Sequence, residues 1–142
     1  MPEFSVRLAD WTRDRGALAH VRRTVFIDEQ GVPEDLEWDA DDARAAHFLA
    51  LLGDGTPVGC ARLLADGHVG RMAVLQPWRG RGIGRALLDA ALAEARARGH
   101  RRVELSAQVH AAAFYVRAGF AAVGAPYDEA GIPHVAMHKT LG

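Results

Sequence analysis

Met72-Ala73-Val74-Leu75-Gln76-Pro77-Trp78-Arg79-Gly80-Arg81-Gly82-Ile83-Gly84 decides the fold. His68 to Val74 reads as a strand, Pro77 and the glycines end it, and Ile83, Leu87, Ala91, Leu92 and Ala95 then share one helical face. Gly80, Gly82 and Gly84 remove side chains where a ligand can approach the backbone. The free N–H groups and dipole of a helix start favour an anion. Arg79, Arg81 and Arg85 place positive charge at the same point, and the planar guanidinium fork suits phosphate. A plain solvent-exposed turn is the simpler alternative.

Upstream, Phe4, Val6 and Leu8 alternate with polar residues as a first strand, and a helix is expected from about Thr12 to Glu29, stopped by Gly31-Val32-Pro33. Ala46 to Leu52 and Val58 to Leu64 form strands around the turn Gly53-Asp54-Gly55-Thr56-Pro57. Asp66-Gly67 turns the chain into the strand from His68. Downstream, the helix ends at Gly99. Arg102 to Ala107 is a strand, His110 to Ala118 a short helix, and Phe120 to Gly124 and Val135 to Lys139 are the last strands. Three hairpin-connected strands followed by β-α-β units predict an α+β fold, with a mixed, mostly antiparallel sheet flanked by helices. The 142 residues fit one domain, 1–142.

The formal net charge of -1 argues against nucleic acid as the main partner. The one cysteine, Cys60, excludes an internal disulfide and suits a reducing cytoplasm. Met1 to Phe4 has no signal-peptide character, and no apolar run approaches the roughly 20 residues of a membrane span. No metal-ligating pattern stands out, so no metal is expected. A nicotinamide dinucleotide fold is a rival for the glycine turn, since Glu104 falls about 20 residues on, where such folds place a ribose-binding acid. The glycine spacing at 80, 82 and 84 and the preceding hairpins argue against it.

The stretch from Met72 to Gly84 resembles the coenzyme motif of the GNAT superfamily of N-acetyltransferases, with Arg79, Gly82 and Gly84 at its fixed positions. Gln108, Ala111, Phe114, Tyr115, Gly119 and Phe120 resemble a second segment of that family, with Gln in place of the usual Asn. Val25 to Gln30 and Glu129 to His134 are similar to side motifs of its ElaA-like branch. The resemblance implies a GNAT-like acyl-CoA N-acyltransferase fold, acetyl-CoA as donor, and a small-molecule or peptide amine as acceptor. It also implies that Met72, Ala73, Val74, Arg79, Gly80, Arg81, Gly82, Ile83, Gly84, Arg85 and Gln108 hold the coenzyme. In that family the strand before the turn splays from the next one, and dimers are common, so a homodimer is an allowed state. A non-catalytic coenzyme-A-binding module shares the same turn and stays open at this point.

Acetyl transfer needs an acid for the leaving thiolate. Spacing alone makes Tyr115 an ordinary core aromatic; the resemblance makes it the proton donor. Glu29, His110, Glu129 and His134 are the polar candidates on the acceptor side, each with a bland alternative as a helix-end, backbone-bonded, loop or strand residue. The acidic stretch Glu34 to Asp42 is expected either to attract a cationic amine or to be a solvated loop. Within it Trp38 either covers the site or pins the loop to the core. His68 and His138 are expected on solvated strand edges.

Overall fold

The computed structural model describes residues 3–142; Met1 and Pro2, part of the stretch read for a signal peptide, lie outside them. Seven strands form one sheet: β1 (Phe4–Ala9), β2 (Ala46–Leu52), β3 (Pro57–Leu63), β4 (His68–Val74), β5 (Arg102–Gln108), β6 (Ala121–Glu129) and β7 (Ile132–Thr140). Their order is β1-β2-β3-β4-β5-β7-β6, and β4–β5 is the parallel pair among antiparallel neighbours. The mixed, mostly antiparallel α+β architecture is therefore as the hairpin pattern predicts.

Two cores cover opposite faces of the sheet. The helix α1 (Arg15–Arg22) buries Leu18 and Val21 against Leu49, Cys60 and Ala73. Two short segments follow, the helix α2 (Glu34–Glu37) and a 3-10 turn at Ala40–Ala43. The long helix α3 (Ile83–Ala97) buries Ile83, Leu87, Leu88, Ala91, Leu92 and Ala95 against Phe48, Ala61, Leu63, Val103 and Leu105. Each buried aliphatic side chain contributes about 1.5–3 kcal/mol. The short helix α4 (Ala112–Arg117) closes the chain's last crossover.

Gly59 in β3 sets how closely α3 approaches. A Cβ there would lie 2.9 Å from Leu87 Cδ1 and 3.1 Å from the Ala73 carbonyl oxygen. Gly59→Ala is expected to cost about 1–3 kcal/mol through overpacking, read as a lower denaturant midpoint at unchanged slope.

Several boundaries differ from the sequence reading. The first helix begins at Arg15 because Asp10 Oδ1 takes the Thr12 and Arg13 amides, at 2.8 and 3.0 Å, into a turn. Its second half, Arg23–Glu29, is a π-helix, closed by a bond from Gln30 N–H to the Val25 carbonyl at 3.1 Å. β6 extends to Glu129, past Gly124 and Pro126. It is one of the sheet's two outer strands, where a missing N–H is tolerated, and its register with β7 shifts between Val123 and Tyr127. His68 and His138 consequently lie on interior strands, β4 and β7, and not on edges.

Candidate active site

β4 and β5 pair at only two positions, His68↔Glu104 and Val69↔Leu105. Beyond them β4 stays bonded to β3, through Ala73↔Cys60 and Val74↔Gly59, while β5 stays bonded to β7 as far as Gln108↔His134. The two strands thus part like a V. The facing backbone groups of Gly70–Val74 and Ser106–Gln108 make no ladder with one another. Unpaired backbone polar groups in a sheet demand partners, and here they can bond water or a ligand that carries amide groups.

The V opens where β4 bulges. Two residues of β4, Arg71 and Met72, stand opposite Ala61 of β3, and Arg71 is a non-glycine at φ 47°. Ion pairs hold it there. Its guanidinium meets Glu37 Oε2 at 3.1 Å and Asp39 Oδ2 at 3.3 Å, and it donates to the Glu37 carbonyl. Behind it Arg22, 1% exposed, donates to Glu37 and Asp42 at 2.8 and 2.7 Å, and Arg62 donates to Asp39 and Asp42 at 2.8 and 2.9 Å. Glu34 and Asp41 are paired with Arg23 and Arg44. The idea that the acidic stretch offers free charge to a cationic amine is therefore corrected: most of its carboxylates already hold arginines. Trp38 stacks on the Arg22 guanidinium at 4.8 Å, so it pins the loop.

At the end of β4 a 3-10 turn at Gln76–Trp78 leads to the glycines. Gly80 and Gly82 have φ 76° and 85°, the left-handed region glycine enters without strain, and a Cβ at either would meet open space. Gly82 caps α3 without any side-chain bond, which leaves the first amides of the helix available. Arg81 lies over Trp78 at 4.9 Å and Arg85 pairs with Asp89 at 3.1 Å, both exposed. Arg79 turns the other way. Its fork grips Glu29 with two bonds of 2.7 Å, and its Nε donates to the Val74 carbonyl at 2.9 Å. Arg79 in turn holds the Glu29 carboxyl below the usual carboxylate range.

A cleft of about 890 Å³ occupies the V, and Met72, Ala73, Val74, Arg79, Gln108 and Tyr115 line it together with Glu29, His110, Glu129 and His134. The structure thus gathers the named polar candidates around one space. Gly80 to Arg85 are not among the lining residues; they follow Arg79 along the chain after β4.

Tyr115, on α4, packs edge-on against Phe114 and Phe120, at centroid distances of 5.1 and 5.9 Å. Burial pushes its phenol up to about 12. Folded and unfolded chains hold this proton alike below about pH 10. Between there and about 12 the unfolded chain has released it and the native one has not, so native stability falls as pH rises through that window. Absorbance titration at the phenolate band is expected to show one late-ionising tyrosine, and Tyr115→Phe to remove that late step.

His134 is buried, and its Nδ1–H donates to the Ile132 carbonyl at 2.7 Å. In the neutral ring that bond makes Nδ1 the protonated nitrogen and leaves the lone pair on Nε2, which lies 3.5 Å from Glu129 Oε2. Glu129 is brought there by the two-residue turn Ala130-Gly131, with φ 53° and 78°. Tyr127 stacks on the His134 ring and hydrogen-bonds Ser106. His110 Nε2–H donates to Gln108 Oε1 at 2.6 Å. Sequence reasoning missed Arg71, Ser106 and Tyr127; the period-two alternation of β5 was the available signal for Ser106, on the face opposite Leu105.

A seven-stranded sheet parted between β4 and β5, with a glycine turn and helix start directly after β4, defines an acyl-CoA N-acyltransferase fold. The acetyltransferase (GNAT) domain model matches residues 12–141, and the chain belongs to the GNAT acetyltransferase family. It is similar to the N-acetyltransferase YjcF of Bacillus subtilis, 33% identical over 124 residues, covering 84% of this chain and 88% of that protein. Among solved structures it resembles an acyl-CoA N-acyltransferase from Pseudomonas aeruginosa, 32% identical with a TM-score of 0.85, covering 97% of this chain and 100% of that one. It also resembles Escherichia coli ElaA, 30% identical with a TM-score of 0.83, covering 98% and 99%.

Proposed function

We propose that the protein transfers the acetyl group of acetyl-CoA to a primary amine of a small molecule or peptide, by direct attack of the amine on the thioester. The observation that carries this reading is the parting of β4 from β5, with His134, Glu129 and Tyr115 around the space it opens. In this reading the unpaired backbone of Met72 to Val74 receives the pantetheine arm, and the amides of the Gly80–Arg85 turn receive the pyrophosphate, with Arg81 and Arg85 adding charge. A backbone N–H of Met72–Val74 stabilises the carbonyl oxygen as it gains negative charge.

The amine nitrogen forms a bond to the carbonyl carbon, and the carbonyl electron pair moves to oxygen. His134 Nε2 takes the proton the nitrogen sheds, helped by Glu129. The oxygen pair returns, the carbon–sulfur bond breaks, and the Tyr115 hydroxyl gives its proton to the departing thiolate. Glu29 is a poor base in this scheme, because Arg79 keeps it ionised and engages both its oxygens. Cys60 is fully buried, with its thiol pushed up to about 12, so it is no nucleophile.

Amide hydrogen exchange with and without acetyl-CoA tests the placement. Protection confined to Gly70–Val74 and Gly80–Arg85 is expected; protection elsewhere or none would remove the reading. His134→Gln is expected to lower kcat by about 10²-fold at neutral pH, with part of the loss recovered at high pH as the free amine fraction rises. An unchanged pH–rate profile would mean that His134 handles no proton.

A further inference from the structure

The consecutive residues Glu29 and Gln30, at the end of the π-helix, send their side chains to opposite arms of the V. Glu29 binds Arg79 with two bonds of 2.7 Å, and Arg79 Nε reaches the carbonyl of Val74, the last residue of β4. Gln30 exchanges amide hydrogens with Gln108, the last residue of β5. Gln108 Nε2 donates to Gln30 Oε1 at 2.8 Å, and Gln30 Nε2 donates back to Gln108 Oε1 at 3.2 Å. The same Gln108 oxygen also accepts from His110. Both of its lone pairs are thereby used, and one Nε2 hydrogen is left over.

We infer that Glu29 and Gln30 are positioning residues, a two-point staple that fixes the spacing of β4 and β5 where they no longer bond each other. Nothing in the sheet itself sets that spacing, since the ladder ends at Val69 and Leu105. The staple is built from side chains that a direct reading would assign to ligands. Both Glu29 oxygens already accept from Arg79, one bond each. Gln108 contributes at most one hydrogen to the coenzyme. The π-helix is what brings it about: its i→i−5 closure at Gln30 puts two adjacent residues at the cleft with their side chains diverging. Held at one width, the V presents its backbone donors ready-placed, which lowers the cost of binding the donor arm.

The consequence for binding rests on the acetyl-CoA reading above, and the test separates the two. Glu29→Ala, Gln30→Ala, Arg79→Ala, Gln108→Ala and the two double variants within each pair are compared by coenzyme A affinity, amine KM and amide exchange of the free protein. Glu29→Ala and Gln30→Ala are each expected to weaken coenzyme A binding about three- to tenfold, with the amine KM unchanged and Gly70–Val74 exchange faster in the free protein. Within each pair the losses are expected to be non-additive by about threefold or more. Additive losses, or a Glu29→Ala effect confined to the amine KM, would overturn the staple. If the unsubstituted protein binds no coenzyme A, the functional reading fails, and the exchange rates of the free variants still decide the staple.

Discussion

Arg22→Ala is expected to lower the unfolding free energy by about 3–5 kcal/mol. The side chain is 1% exposed, yet all its donor nitrogens are engaged, by Glu37 and Asp42 carboxylates and the Glu37 carbonyl. Truncation would leave Glu37 and Asp42, 3% and 2% exposed, in a space with half their positive charge removed. Unpaired buried carboxylates cost far more than the pair contributes. For Asp42 burial alone would raise the carboxyl pKa, but the bonds from Arg22 and Arg62 outweigh it and hold it low. The loss would also reach the site, because Glu37 anchors Arg71 at the bulge where the V begins. Chemical denaturation checks the figure, and a loss under about 1 kcal/mol would mean that the network is poorly coupled to folding.

Tyr115→Phe is expected to lower kcat by about 10²-fold or more while coenzyme A affinity changes less than about threefold. The ring is packed by Phe114 and Phe120, and phenylalanine keeps that packing, so the substitution removes the hydroxyl and little else. A phenol raised to about 12 stays protonated throughout the working range, so its proton is in place when charge develops on sulfur, while burial makes it a weaker acid than free tyrosine. If coenzyme A affinity collapses together with kcat, Tyr115 is structural; if kcat is untouched, the thiolate leaves without its help.

What was legible in the sequence was local. The Arg79–Gly84 turn announces itself because left-handed glycines and helical periodicity are written within a few residues. The hairpins at Gly53 and Asp66 fix the early strands for the same reason. The V was legible only through the family resemblance, because strand separation depends on residues far apart. Nothing marks Arg71 as the bulge: the residue in the left-handed region is the arginine, not its neighbour Gly70. The acidic stretch, expected either to attract an amine or to be a solvated loop, holds arginines instead, and its partners, Arg22, Arg62 and Arg71, come from three different elements. Arg79 was read as a phosphate ligand from its motif position, while its fork is filled by a glutamate 50 residues away in sequence. Tyr115, His134 and Glu129 were named individually, but their convergence on one cleft is a product of the β5–β7–β6 register.

The most direct test mixes purified protein and acetyl-CoA with a panel of amines, amino acids, polyamines and peptides, and reads both free thiol and the mass of each acceptor. At least one primary amine is expected to gain a single acetyl group, with one free coenzyme A released per acetylated product. Tight binding of acetyl-CoA with no acetylated amine and no thiol release would contradict transfer, and would favour a protein that binds the coenzyme without turning it over.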